Sequence, residues 1–341
     1  MAGAVLAVAK GYSPTEAHRF LGSLRQTGYA DAVILLVGDR EAPATLEMMR
    51  RHTATTRRIP VEEWCCGGDD RVRSKLQLTR ECLDGQYRHC LLTDFRDVFF
   101  QLPPFARYPP GKDLVFSREA RKAGSVGSNE YNAGWVAACL GARRLPREYY
   151  DFPIVCSGTI MGTAKGLAAL AQQMNATLHG ELPACSTGPF DQALLNVLLF
   201  RQSHRPSKVP LLTGLAVEIQ DQGAGGMVNT LGYVHPVPRG AASGNVLESD
   251  GQTVSSIVHQ YDRIPDLRRH ANHLAGVGDA AARLEEKERL RHAQREETFN
   301  SASRKRRLGW VVSVVLAALA GVTVAANYWM RHRKLGDDAA F

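Results

Sequence analysis

Three apolar runs recur near the start of the chain: GAVLAVA at 3–9, AVILLVG at 32–38 and HCLLTDF at 89–95. Short runs of this kind, bounded by turn residues, are the pattern of strands buried on both faces, and a parallel sheet covered by helices is the architecture that buries both. The stretches between them carry charge and helical spacing. Residues 14–27 place Leu21 and Leu24 on one face, 43–52 and 71–86 read as further helices, and 58–63 reads as a short strand. This alternation predicts an α/β fold with a Rossmann-like, mainly parallel sheet flanked by helices, and it puts ligands at the C-terminal ends of the strands. Further strands are expected at 113–117, 153–162, 226–238 and 255–260, helices at 163–177 and 190–202, and a Gly/Ser/Asp-rich loop at 239–252.

The 341 residues suit one large domain or two small ones, and 44% apolar with 22% charged residues excludes a disordered or low-complexity chain. The net charge of +8 is localised: seven basic and no acidic residues lie between Arg304 and Lys334, which leaves +1 for all other residues. A nearly neutral body has no basic field for nucleic acid, and that partner class is excluded. The seven cysteines contain no C-x-x-C pair, which argues against a zinc ribbon or a disulfide scaffold and leaves room for one or two bridges in an oxidising compartment.

Between the basic clusters RKRR and RHRK lie 23 uncharged residues, 308–330, with Trp310 near one end and Tyr328 and Trp329 near the other. At 1.5 Å per residue they span roughly 35 Å, enough for a bilayer core of about 30 Å. One transmembrane helix is therefore expected here, with interfacial aromatics and basic flanks. The N-terminal MAGAVLAVAKGY lacks a basic region before its apolar run and does not read as a signal peptide. The expected order is a domain at 1–270, a charged helical stalk at 271–303, the span at 308–330 and a short basic tail at 331–341. The excess of RKRR over RHRK favours a cytosolic domain, whereas the sequon Asn175-Ala176-Thr177 has meaning only in a lumen. The side of the membrane and the oligomeric state stay open.

Chemistry concentrates in four motifs. The first is DFRDVFFQ at 94–101, where Asp94 and Asp97 follow directly on an apolar strand. Carboxylates at such a rim repel a diphosphate unless a divalent cation lies between, and ions of the Mg²⁺ type are held by one or two carboxylates plus phosphate oxygens. The bland alternative is a capping Asp94 and an Asp97 paired to arginine. Arg96 is expected on the opposite face, as an ion-pair partner. The second motif is VHQYDR at 258–263. His259 is one of eleven histidines, and a mixed Asp/His set suits Mn²⁺ better than Mg²⁺. The third, DQALLN at 191–196, opens a helix with Asp191, either as an N-cap or aimed at a substrate hydroxyl. The fourth, CSGTIMG at 156–162, supplies small residues that let a ligand approach the backbone. Cys156 lacks an ordered partner for work as a nucleophile.

In this order the four motifs resemble those of GT-A nucleotide-sugar glycosyltransferases, and the set is similar to uncharacterised eukaryotic members related to the glycogenin-like family. The opening AVAKGYSPTEAHRFLGSLRQTGYADAVILLVGD is also similar to the start of that domain, and the resemblance covers about residues 3–266. It implies a GT-A fold, Mn²⁺ or Mg²⁺ as cofactor, a nucleotide-diphosphate sugar as donor and a glycan, protein or lipid acceptor. It implies Asp94, Asp97 and His259 as metal ligands, with Asp94 facing either ribose or metal. Asp191 and Gln192 match the pair beside the transferred sugar, and Ser157 and Gly158 the small-residue strand near the donor. By position, Tyr12 stacks on the base, and Lys75 or Arg73 neutralises phosphate. The acidic motif is D-x-x-D where the family has D-x-D, which leaves the division of labour between the two aspartates open.

The function expected is metal-dependent glycosyl transfer at a membrane of the endoplasmic reticulum or Golgi. A non-catalytic sugar-nucleotide sensor of the same fold is the alternative. A nucleotidyltransferase would need a Gly-rich basic loop after the first strand, and KGYSPTEAHRF is not one.

Overall fold

A computed structural model describes residues 3–59, 68–119, 123–187, 190–200, 214–222, 226–232, 236–241, 243–280, 283 and 287. The span expected at 308–330, the tail at 331–341 and most of the stalk lie outside the described residues. Among the described residues no helix is long and apolar enough to cross a membrane. The chain divides into two units, Met1–Gly278 and Asp279–Phe341, and the fold that follows belongs to the first.

The first half is a run of strand–helix units: β1 (Ala4–Val8), α1 (Pro14–Gln26), β2 (Ala32–Gly38), α2 (Pro43–Arg51), β3 (Thr55–Ile59), α3 (Gly68–Asp84) and β4 (Cys90–Thr93). β3, β2, β1 and β4 lie side by side and parallel. Leu6 and Leu36 point into one apolar layer, Val5, Ala7 and Leu35 into the other, the alternation a strand covered on both faces requires. α1 starts where it does because Ser13 and Glu16 form a reciprocal capping box and Pro14 takes the first turn. Its Ala17, Phe20, Leu21 and Leu24 are buried, and deleting a side chain such as Phe20 costs about 3–5 kcal/mol.

The chain then crosses to the far side of β4. β5 (Val98–Phe100) leaves for a second sheet, and β6 (Leu114–Arg118), α4 (Glu130–Cys139), β7 (Val155–Gly162), α5 (Ala164–Gly180), α6 (Asp191–Phe200) and β8 (Val217–Gln220) follow. β7 is antiparallel to both β4 and β6, and β8 is parallel to β6, which completes a mostly parallel seven-stranded sheet of order β3-β2-β1-β4-β7-β6-β8. The small sheet consists of β5, β9 (Val228–Thr230) and β10 (Ile257–His259) in the order β5-β10-β9. α7 (Pro265–Ala275) packs on α1 and ends at Gly276, whose φ of +71° suits glycine.

Several elements differ from expectation. The strand expected at 58–63 is Thr55–Ile59; residues 60–63 lie outside the described ones. As an edge strand with only Ile59 buried, it has no apolar run to mark it. α4 was not anticipated: EYNAGWVAAC mixes small and apolar residues around the helix and shows no 3.6-residue stripe. β5, β8 and α7 also went unread, the strands because three or four residues are too few for a period. Cys82 pairs with Cys90, joining α3 to β4, and Cys139 with Cys185, joining α4 to the single-turn helix Pro183–Thr187.

Candidate functional site

β1 pairs with β2 on one side and β4 on the other, so the chain order reverses between β1 and β4. A crevice opens at the C-terminal ends of such a strand pair. The loop after β4 is Asp94–Asp97. Phe95 is buried and packs on Phe20 (ring centroids 4.6 Å apart) and Tyr12 (5.4 Å). Arg96 turns to Asp262 at 3.2 Å, the ion pair expected of it, and it also lines the cleft. With Phe95 plugged into the core, the two aspartates converge.

Two strand pairings complete the triad. β10 runs antiparallel to β5 with His259 opposite Val98, and the Gln260 amide donates to the Asp97 carbonyl at 2.8 Å. β7 runs antiparallel to β4, and the Asp94 amide donates to the Gly158 carbonyl at 2.7 Å. His259 Nε2 lies 3.5 Å from Asp94 Oδ2 and 3.7 Å from Asp97 Oδ2. One donor atom from each residue falls within 4.8 Å of the others.

The residues present fit a divalent cation. With bonds of about 2.1 Å, octahedral ligands stand roughly 3.0 Å apart when adjacent and 4.2 Å when opposite, and the two distances fall between. His259 Nε2 is buried and has no hydrogen-bond partner among the described residues. A Cβ on Gly158 would stand 2.5 Å from Asp94 Oδ2 and 2.9 Å from His259 Nε2, so only glycine leaves this space open. His259 Nδ1 faces the Cys156 sulfur at 3.4 Å, a partner that orients the ring. Burial opposes charge on His259, but Cys156, Asp97 and Asp94 outweigh it and raise the imidazole well above its usual value. Burial, aided by Asp94, pushes Asp97 up against the pull of His259. Burial likewise raises the Cys156 thiol above its ordinary value, against the pull of His259.

A cleft of about 530 Å³ takes in Asp94 and Asp97, and its lining also includes Lys10, Tyr12, Arg71, Lys75, Ser157 and Asp191. Tyr12 presents a neutral ring: burial, with Asp94 next, pushes its phenol up to about 12. Asp191 opens α6 and is almost wholly buried. Its Oδ2 accepts from Lys75 Nζ at 2.9 Å and its Oδ1 from Arg71 at 3.2 Å. Burial works against this charge, but Lys75 and Arg71 overcome it and hold the carboxyl below its usual range, and the Ser157 hydroxyl adds a hydrogen bond.

Asp94, Asp97 and His259 thus meet at one point, and Tyr12, Lys75, Ser157 and Asp191 line the adjoining cleft. Two expected site residues stand elsewhere. Arg73 is exposed and outside the cleft lining; Arg71, one helical turn before Lys75, takes that place. The i, i+4 spacing on α3 was the available signal, because Arg73 points about 200° around the helix from Arg71. Gln192 does not line the cleft. Its oxygen accepts from the Ser157 amide at 3.3 Å, and its nitrogen donates to Glu119 and Asn132, each at 2.9 Å. That leaves its amide no free donor for a substrate. Glu119 and Asn132 went unnoticed because neither belongs to a motif. No protein-family model matches this chain, and no curated protein matches it.

Proposed function

We propose that this chain is a metal-dependent glycosyltransferase of GT-A type, which moves a sugar from a nucleotide-diphosphate sugar to an acceptor hydroxyl. The observation that carries the reading is the meeting of a buried His259 Nε2 with two strand-end carboxylates about 160 residues earlier in the chain, at the rim of a cleft that also holds Tyr12, Lys10, Arg71 and Lys75. Asp94, Asp97 and His259 would hold Mn²⁺ or Mg²⁺, which when bound supplies positive charge for the departing diphosphate. The chain's own groups do the rest. Tyr12 offers a ring face for the base. Lys10 lines the cleft, and Arg71 and Lys75 reach it through their shared ion pair with Asp191. Asp191, with its oxygens committed to Arg71, Lys75 and Ser157, is a poor proton acceptor and suits anchoring of sugar hydroxyls better than general-base work.

Two cystine pairs support an oxidising compartment for this domain, which weighs against the cytosolic side that the basic flanks favour. Full-length protein in detergent, given Mn²⁺ and a panel of UDP- and GDP-sugars, is expected to hydrolyse a donor slowly, and Asp97→Asn and His259→Ala to abolish this. Hydrolysis indifferent to chelator refutes the metal mechanism, and nucleotide binding without turnover by any donor points to the sensor. Protease treatment of sealed microsomes is expected to spare the domain; complete digestion places it in the cytosol.

A further inference from the structure

β7 does not run regularly past β6. The pairing register shifts between Phe116 and Arg118, so the stretch of β7 that carries Ser157 is bulged away from the ladder. α6 supplies side-chain hydrogen-bond partners to this part of the β7 backbone. Asn196 Oδ1 accepts from the Val155 amide at 2.9 Å, and Gln192 Oε1, one turn earlier, accepts from the Ser157 amide at 3.3 Å. Asn196 Nδ2 also returns to the Val155 and Gln192 carbonyls.

A glutamine amide can be turned either way, and what decides its orientation here is Glu119, the residue directly after β6. Its Oε1 accepts one Gln192 N–H and Asn132 Oδ1 accepts the other, each at 2.9 Å. A flipped amide would set its oxygen against two other oxygens. Asn132 is itself held, because its Nδ2 donates to Asn129 Oδ1, and the Glu119 backbone is tied to Ile154. Glu119 is 7% exposed, and its Oε2 has no partner among the described residues. A buried carboxylate is a costly way to fill a structural position, and a strong acceptor when geometry has to be fixed.

We propose that Glu119 is a positioning residue: with Asn132 it locks the Gln192 amide, which holds the bulged β7 backbone at Ser157 and so sets the spacing between the Asp94–Asp97–His259 triad and the Asp191 carboxylate. Ser157 bonds Asp191 on one side of that backbone, and the neighbouring Gly158 carbonyl holds the Asp94 amide on the other. Slack at one peptide unit therefore reaches both walls of the cleft. The proposal rests on the reading of that cleft as the donor site.

The test compares full-length wild type, Glu119→Ala, Glu119→Gln and Asn132→Ala, by amide exchange over residues 153–162 and by donor hydrolysis with Mn²⁺. Glu119→Ala is expected to speed exchange at Ser157 about tenfold or more and to lower kcat by about the same factor with donor KM within about threefold, as losing one modest hydrogen bond allows. Glu119→Gln keeps an acceptor oxygen and is expected to restore both. Asn132→Ala, which removes one of the two acceptors, is expected to move both in the same direction as Glu119→Ala and serves alone should the latter not fold. Unchanged exchange in the alanine variants overturns the proposal, and so does a Glu119→Gln as impaired as Glu119→Ala. Wild type without turnover defeats the transferase reading while the exchange measurement still decides the clamp.

Discussion

Gly158→Ala should weaken cation binding at the proposed Asp94–Asp97–His259 site without removing any of the three side chains. The added methyl would stand 2.5 Å from Asp94 Oδ2, 2.6 Å from His259 Cε1 and 2.9 Å from His259 Nε2. Non-bonded carbon contacts are comfortable at about 3.5 Å, so Asp94 and the imidazole must retreat by roughly 0.6–1 Å. Metal–ligand distances tolerate about 0.2 Å, and the buried His259 ring, backed by Cys156, has little room to move. The site therefore loses the joint grip of two of its three ligands. Disturbing the support of a ligand alone costs about 10–100-fold in metal affinity, which sets a floor of about 1.4 kcal/mol at tenfold. The backbone is not the cause, since Gly158 is not among the glycines with positive φ. The substitution also overpacks the core by about 1–3 kcal/mol, so the useful quantity is the rise in Tm that Mn²⁺ produces in each protein, together with Mn²⁺ affinity by calorimetry. A Gly158→Ala protein that binds Mn²⁺ within twofold of wild type refutes the triad as a cation site.

Lys75→Ala strips one of two cations from the buried Asp191. It is expected to cost about 1.5–3 kcal/mol in chemical denaturation and at least tenfold in donor hydrolysis, while Arg73→Ala changes hydrolysis less than twofold; equal losses would return Arg73 to the site. Burial raises Glu119 above its ordinary 4.5, against the pull of Gln192, His259 and Arg263. The folded state then holds this proton more tightly than the unfolded chain and loses stability as pH rises from about 4.5 through the raised value. Glu119→Gln should accordingly melt higher than wild type at pH 7–8, with the gap closing toward pH 4.5, and a gap independent of pH contradicts the burial argument. The Cys139–Cys185 bridge closes a 46-residue separation and Cys82–Cys90 one of 8. Loop entropy assigns them about 4 and 2.5 kcal/mol, so Cys139→Ser should lower stability more than Cys82→Ser, and non-reducing peptide mapping should recover both pairs.

Much of the fold was legible because burial on two faces leaves a local signature. β1, β2 and β4 are read from apolar runs, α1 and α5 from helical spacing, and the rim position of Asp94 and Asp97 from their place directly after an apolar strand. The edge strand β3, the three-residue β5 and the stripeless α4 leave no such signature, and their boundaries were shifted or missed. The same limit governs the site. Which groups stand on a strand end can be read along the chain, whereas His259 was singled out as their partner by the family resemblance and not by any local pattern.

By itself, then, the sequence determined the alternating α/β pattern, the strand-end acids and a small set of candidate partners, because side-chain periodicity records which face of an element is dry. The tertiary structure decided the distances and burial at which Asp94, Asp97 and the His259 singled out by the family resemblance meet, and that Gln192 bonds the Ser157 backbone and does not line the cleft. Those outcomes depend on pairing registers between β5 and β10, β4 and β7, and α6 and β7. Such registers are fixed by the packing of whole elements against one another, and no local stretch of residues encodes them.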